Sequence, residues 1–228
     1  MNNNKNEYIK IIKNINKEKI YNLNDSINIL KSISYRNFIE NIEIVIVFNL
    51  KLLKINFNNL YGNCLLPYSN GIFPKIYIIS LYEDKNNIEK LGFNFININD
   101  NNIKKLNFKF SNLFFIKNNI YINNKNNNFI KNLIKYMIFD KKYGNLINNY
   151  DFIEDNIKNG KKIFYRCKNG ILNLVIGKIN YKNEYLVDNI ISFYKHLLNN
   201  KIIINNKKNI FKKIYITSTM GISLKINI

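Results

Sequence analysis

The feature that most constrains this chain is a change of period in its apolar residues between Lys75 and Ile138, where short apolar runs alternate with helical spacing. Lys75–Leu81 is predicted as a strand. Asp84 stands where it can cap a short helix running to Leu91, and Gly92 stands where it can end one. Phe93–Ile98 is predicted as the next strand, and Leu113–Ile116 with Ile120–Ile122 supplies more. Asn128 is placed to cap a helix carrying Phe129, Leu133, Ile134, Met137 and Ile138. Such alternation points to an open parallel sheet with helical crossovers. No GxGxxG and no GxxxxGK[ST] follows any of these runs, so the pattern does not carry a nucleotide site with it. An α/β enzyme taking a small anionic ligand would need such a glycine-rich loop.

The flanking segments read differently. Tyr8, Ile11, Ile12 and Ile15 recur at helical spacing, and Asn24 or Asp25 is a candidate cap for a second helix bearing Ile27, Leu30 and Ile33. Ile42–Leu50 is a nearly continuous β-branched run, which predicts a strand buried on both faces. The only two prolines, Pro67 and Pro74, then bracket Gly71 at a composition break that marks a crossing between domains. On the carboxyl side a helix is expected from Phe152 to Asn159, ended by Gly160. Lys162–Cys167 and Ile171–Ile176 flank Lys168-Asn169-Gly170 as a β-hairpin. Tyr185–Asn199 is amphipathic, with Leu186, Ile190, Tyr194 and Leu197 on one stripe and the only histidine, His196, in its last turn. There a solvent-facing cation suits the helix dipole.

Composition narrows the function classes. Asn, Ile and Lys make up more than half of the 228 residues, and Ala, Gln and Trp are absent. The formal net charge of +20 suits a polyanionic partner, although the same bias that favours Asn and Ile also supplies Lys. Its distribution says more: net +4 over residues 1–67, +6 over 68–153 and +10 over 154–228, with no acidic residue after Asn189. Two distant cysteines, Cys64 and Cys167, support neither a disulfide scaffold nor a thiolate zinc site. One histidine leaves little for a His-based relay or a metal centre. No apolar run of about 18 residues indicates a membrane span, and Met1–Lys10 lacks a signal-like apolar stretch. The default expectation is a soluble cytoplasmic protein without cofactor or metal. The carboxylate pairs Glu83-Asp84 and Glu154-Asp155 suit helix N-termini, and Glu40 with Glu43 enters a strand.

Residues that resist the bias stand out. The only two threonines, Thr217 and Thr219, fall in Ile216-Thr217-Ser218-Thr219-Met220-Gly221 with one of three methionines. A period of two puts Ile214, Ile216, Met220, Ile222, Leu224 and Ile226 on one face and Tyr215, Thr217, Thr219, Ser223 and Lys225 on the other. Hydroxyls beside a glycine allow close approach to phosphate or ribose oxygens; an ordinary edge strand has the same pattern. The only two arginines are Arg36 and Arg166. Arg36 sits in Tyr35-Arg36-Asn37-Phe38, where a cation and rings can meet an unstacked base or where Tyr35 and Phe38 can close a core.

Thr219-Met220-Gly221 within Ile214–Asn227 resembles the C-terminal signature of the ribosomal protein L-one family, the stalk proteins of the large ribosomal subunit. Ile20–Ser26, Tyr35–Phe38, Gly62–Pro67, Gly160–Arg166 and Gly170–Lys178 resemble other segments of that family in the same order. The resemblance implies an α+β fold of two domains. Residues 1–67 and 154–228 would form a discontinuous α+β RNA-binding domain, and residues 68–153 an inserted Rossmann-like α/β domain on a hinge near Pro67 and Phe152. It implies RNA contacts at Arg36, Phe38, Thr217, Ser218, Thr219, Met220 and Gly221, with Arg166, Lys168 and Asn173 on the hairpin. The implied partners are the large-subunit ribosomal RNA stalk, transfer RNA at the exit site and the protein's own messenger RNA. The implied location is the ribosome, in the cytoplasm or an organellar matrix. The chain departs from the family pattern at Asn37, where a basic residue is usual, at Asn41 for a threonine and at Asn173 for a common histidine. The hairpin turn is one residue shorter. Lys141–Asn145 stands where the family has a glycine- and proline-rich loop.

Overall fold

The computed structural model describes residues 15–16, 19–34, 36–49, 60–99, 112–124, 127–137, 139–148, 153, 155–200, 203 and 210–228. The helical spacing at Tyr8–Ile12, Tyr35, Ile138, Phe152, Glu154 and the lysines at 201, 207 and 208 lie outside the described residues. The chain divides into two compact units, Met1–Gly71 with Tyr165–Ile228, and Ile72–Phe164. Among the described residues no helix is long and apolar enough to cross a membrane.

In the first unit, α1 (Leu23–Ile33) precedes β1 (Asn41–Phe48) and β2 (Tyr61–Leu65). The chain returns within β7 (Lys162–Arg166), whose last two residues open the rest of the first unit, followed by β8 (Ile171–Lys178), α6 (Asn183–Leu198), β9 (Phe211–Ser218) and β10 (Leu224–Ile226). Four of these strands form a sheet in the order β10-β9-β1-β8, antiparallel throughout. Ile42, Ile44, Ile46 and Phe48 of β1 are buried together with Leu23, Ile27, Leu30 and Ile33 of α1 and Leu186, Ile190, Phe193 and Leu197 of α6. Each such fully buried side chain contributes about 1.5–3 kcal/mol. The alternate residues of β1, Glu43, Val45 and Val47, are only half-buried. β1 is therefore not buried on both faces as its apolar run predicts; its valines lie on a half-open face.

Other expectations are corrected here as well. Helix α1 has Asn22 at its N-cap, without a side-chain cap, rather than Asn24 or Asp25. The Asn169-Gly170 turn forms as predicted, with both residues at positive φ (51° and 75°) and Lys168 bridged to Ile171. Its arms then part: β8 joins β1, while β7 pairs with β2 in a separate two-stranded sheet. The turn satisfies its own backbone groups in one bridge, and the strands follow different partners. His196 does not face solvent. It is half-buried, its Nε2 lies 3.2 Å from the Tyr165 hydroxyl, and burial lowers its pKa below the ordinary 6.5.

The second unit has β3 (Lys75–Ser80), a 3-10 turn at Tyr82–Asp84, α2 (Lys85–Lys90), β4 (Asn94–Asn97), β5 (Asn112–Lys117), α3 (Asn118–Asn123), α4 (Asn128–Tyr136), β6 (Leu146–Ile147) and α5 (Asp155–Lys158). Its sheet, β4-β3-β5-β6, is parallel, as the alternation predicts. Both faces are covered. Ile79, Phe114 and Ile116 pack with Ile120 of α3 and Phe129, Ile130 and Leu133 of α4. Ile76, Ile78 and Phe115 pack with Ile88 of α2 and Ile157 of α5. Ile120–Ile122, expected as strand, is helix, and Asn127 rather than Asn128 caps α4, accepting from the Phe129 N–H at 2.9 Å.

The unit borders fall after the boundaries at 67/68 and 153/154 that the resemblance implies, for a physical reason. The Tyr68 N–H donates to buried Asn189 Oδ1 (3.0 Å), the Tyr68 ring stacks on Tyr185 at 4.0 Å, and Asn70 Nδ2 donates to Val175 O (3.4 Å). These bonds keep Tyr68–Gly71 with the first unit. At the other border, Ile153, Ile157 and Phe164 belong to the apolar layer of the second.

Candidate nucleic-acid interface

Antiparallel register brings three chain segments to one end of the first unit's sheet. Ile42 pairs with Ser218 and Asn41 with Lys178, so the start of β1 meets the ends of β9 and β8. Glu40, 2% exposed, lies at the centre. Its carboxylate accepts from Ser34 Oγ (2.9 Å), Ser218 Oγ (2.7 Å) and the Met220 N–H (3.0 Å). Beside it the Asn41 N–H donates to Thr219 Oγ1 (2.9 Å), and the Thr219 N–H donates to Asn41 O (3.1 Å). Lys178 Nζ donates to Asn41 Oδ1 (2.6 Å), which gives the Asn at the family's threonine position a role of its own.

Gly221 is required by close approach: a Cβ there would stand 2.2 Å from Ser218 Oγ. With the backbone held inward, Met220 and Phe38 face outward, 49% and 51% exposed. Met220 therefore leaves the buried face that the period of two assigns to it, because β9 ends at Ser218 and residues 219–221 turn. Ser218 is a correction in the opposite sense. It is 3% exposed and its hydroxyl is committed to Glu40, so it supports the surface from beneath and offers no hydroxyl to an RNA.

The half-open face continues from this end. Thr217 lies opposite Glu43, and Tyr215 lies opposite Val45, which Asn173 flanks on the other side. Asn173 Nδ2 donates to Glu43 Oε2 at 2.9 Å. Lys225 pairs with Tyr215. Exposed Lys168 stands at the opposite end of this sheet, where it bridges to Ile171, and exposed Arg166 ends β7 of the two-stranded sheet two residues earlier. β8, Ile171–Lys178, separates the Lys168 turn from Lys178; its seven steps span about 23 Å at about 3.3 Å per residue. The predicted site residues thus fall in three places. Arg36, Phe38 and Thr217–Gly221 gather at one end, Asn173 sits on the face, and Arg166 with Lys168 stands at the far end.

Sequence reasoning missed Glu40 as a structural centre, grouping it only with Glu43 as a carboxylate pair. The available signal was an acid placed between the Arg36-Asn37-Phe38 segment and an apolar strand. Among the described carboxylates Asp84 accepts from Ser80 Oγ, Glu43 from Asn173 Nδ2, and Glu40 from three donors. Among the described residues no three His, Cys, Asp or Glu side chains form a metal-binding group. Burial raises both Cys64 and Cys167 to about 11, so neither is an activated thiol.

A sequence profile described as the Ribosomal protein L1p/L10e family matches residues 30–222. The chain is 30% identical over 213 residues to the "Large ribosomal subunit protein uL1" of Wigglesworthia glossinidia brevipalpis, covering 92% of this chain and 86% of that protein. It is 25% identical over 219 residues to the protein of that name from Baumannia cicadellinicola subsp. Homalodisca coagulata, covering 93% and 90%. With the one from Borreliella burgdorferi (strain ZS7) it is 26% identical over 224 residues, covering 97% and 96%. Signature, segment order, fold and these matches agree over most of the length: the chain belongs to the Ribosomal protein L1p/L10e family.

Proposed function

We propose that this chain, a structural ribosomal protein by family, binds the folded stalk of large-subunit ribosomal RNA through its first unit. The observation that carries this reading is the Thr219-Met220-Gly221 turn, held against Glu40 so that Met220 and Phe38 project from one sheet end. Exposed apolar side chains on a fixed backbone suit unstacked bases, and Thr217, Thr219 and Asn173 beside them suit 2′-hydroxyl and phosphate oxygens. Arg36 adds a planar cation near the same end, and Arg166 with Lys168 meets phosphates at the other. The first unit, Met1–Gly71 with Tyr165–Ile228, serves as the RNA-binding domain and Ile72–Phe164 as the insert, in place of the 1–67 with 154–228 and 68–153 division that the resemblance implies. Joined by two chain crossings, the insert swings as deacylated transfer RNA leaves the exit site. The bonds from Tyr68, Asn70 and Asn189 favour a pivot after Gly71 rather than at Pro67. The same surface would bind a similar fold in the protein's own message and restrain its translation.

The test is binding to the chain's own ribosomal RNA stalk fragment and to unrelated RNA of equal length. A preference of at least about 10³ is expected of a specific complex. Thr217→Phe with Met220→Trp should abolish that preference while circular dichroism stays native. Equal affinity for both RNAs, with a steep salt slope, would instead mark a general RNA-coating protein.

A further inference from the structure

Resting on the reading above, we infer that Glu40 is a positioning residue for RNA recognition: its buried carboxylate sets the orientation of the Thr219-Met220-Gly221 turn without itself touching RNA. The three donors it gathers come from three separate segments. Ser34 directly follows α1, Ser218 ends β9, and the Met220 N–H belongs to the turn beyond the strand. A carboxylate is acceptor-only, so each of these groups is fixed as a donor pointing inward. The consequence differs among them. For the serines it only ties elements together; for Met220 it directs the backbone N–H toward the interior and leaves the side chain half exposed.

The β9–β1 pairing does not duplicate this role. The ladder runs to the Ile42–Ser218 pair, further bonds join Thr219 to Asn41, and the Gly221 N–H donates to Ser218 O (3.1 Å) across the turn, but none of these engages the Met220 N–H. Met220 lies past the ladder and the Thr219 bonds, and the Glu40 carboxylate ties it to the start of β1. Gly221 completes the arrangement, since a side chain there would displace the Ser218 hydroxyl from Glu40. Glu40 also anchors its own neighbours. Its backbone O accepts from the Ile179 N–H (3.0 Å), which fixes the chain two residues after Phe38. One side chain, buried to 2% exposure, therefore follows exposed Phe38 and Ile39 in the chain and holds the backbone of exposed Met220.

Removing the carboxylate should loosen the turn while helix packing and the sheet persist. Glu40→Ala is expected to weaken binding to the stalk RNA about 10- to 100-fold, the scale set by breaking charge-assisted hydrogen bonds. It should leave the salt slope and the affinity for unrelated RNA unchanged, because every cation that meets a phosphate is still in place. Glu40→Gln separates geometry from charge. Its amide oxygen can still accept from Ser218 and Met220 while its NH₂ group donates to Ser34, so affinity should return to within about threefold of wild type. Amide hydrogen exchange at Met220 in the free protein should be slow in wild type and in the Gln variant, and fast in the Ala variant.

The inference is overturned if Glu40→Ala binds stalk RNA as wild type does. It is overturned too if Gln fails as Ala does, or if affinities for both RNAs fall in parallel. Should Glu40→Ala not fold, Ser218→Ala decides: a weakened stalk affinity at unchanged slope supports the inference, and wild-type affinity with wild-type Met220 exchange sinks it. A wild-type protein without preference for stalk RNA would defeat the functional reading alone, and Met220 exchange would still report whether Glu40 holds the turn.

Discussion

The two ends of the first unit's sheet present RNA-compatible groups by opposite means. At the Glu40 end a buried carboxylate draws a turn inward and leaves apolar side chains, Phe38 and Met220, on the surface. At the other end the Asn169-Gly170 turn closes through backbone bonds, Lys168 with Ile171 and the Phe48 N–H with Gly170 O at 2.8 Å, and its neighbours Arg166 and Lys168 are exposed cations. Lys213, also exposed, lies opposite Val47, which pairs with Ile171 on its other side. On the RNA-binding reading proposed above, selectivity belongs to the Glu40 end. Cations on a simple turn meet phosphates on any RNA, whereas rings and hydroxyls held at fixed positions discriminate among shapes.

Phe38→Ala tests that division with the largest expected effect. A base stacked on an aromatic ring is worth about 1–3 kcal/mol, so stalk affinity should fall about 5- to 150-fold in a filter-binding titration. Thermal stability should barely change, because the ring is half exposed. A loss of stability without loss of affinity would return Phe38 to the core and erase the contrast between the ends.

The glycines at the two ends give a matched pair. Gly221→Ala forces a Cβ to within 2.2 Å of Ser218 Oγ; the hydroxyl must leave Glu40, and about tenfold in stalk affinity should go with it. Gly170→Ala instead meets a φ of 75°. It should cost about 1–2 kcal/mol of stability through left-handed strain and leave RNA preference intact. Affinity and denaturation measured on both variants would show whether the ends are as different as their geometry. A smaller effect is expected of Arg166→Ala with Lys168→Ala. Both RNAs should bind a few-fold less well, and the log–log salt slope should fall by about 0.7–0.9 for each phosphate no longer neutralised. An effect confined to stalk RNA would move recognition to the far end.

How much of this was legible follows from what apolar pattern encodes. Leu113–Ile116 and Ile42–Leu50 look alike as near-continuous apolar runs. The first is covered on both faces by α3, α4, α2 and α5, while the second shows Val45 and Val47 on a half-open face. A run records that burial is tolerated, and only the partners decide on how many sides it occurs. The same limit turned Ile120–Ile122 from expected strand into α3, since three residues carry no period. The Asn-Gly turn was legible because it needs two positive φ angles; where its arms pair was not, because that depends on β1 and β2. At the interface, the cluster Thr217–Gly221 was visible as an escape from compositional bias. The division of labour within it was hidden. Ser218 faces Glu40 178 residues earlier in the chain, and such a pairing leaves no local spacing to read.

The smallest expected effect tests whether the interface is independent of the ribbon formed by β2 and β7. His196 packs edge-on to Tyr165 of β7, and burial holds its pKa below 6.5. Above pH 6.5 the imidazole is neutral in folded and unfolded chains alike, so its contribution to stability is complete there. As pH falls below 6.5 the unfolded chain takes up a proton that the folded one resists, and stability declines. Melting curves from pH 8 to 5 should therefore show less acid-side loss for His196→Gln than for wild type. Stalk-RNA affinity at pH 6, where the protein is still folded, should be the same for both. A pH-dependent affinity that disappears with His196 would mean that the ribbon and the Glu40 end move together, and the contrast between the sheet's ends would have to include the helix that carries this residue.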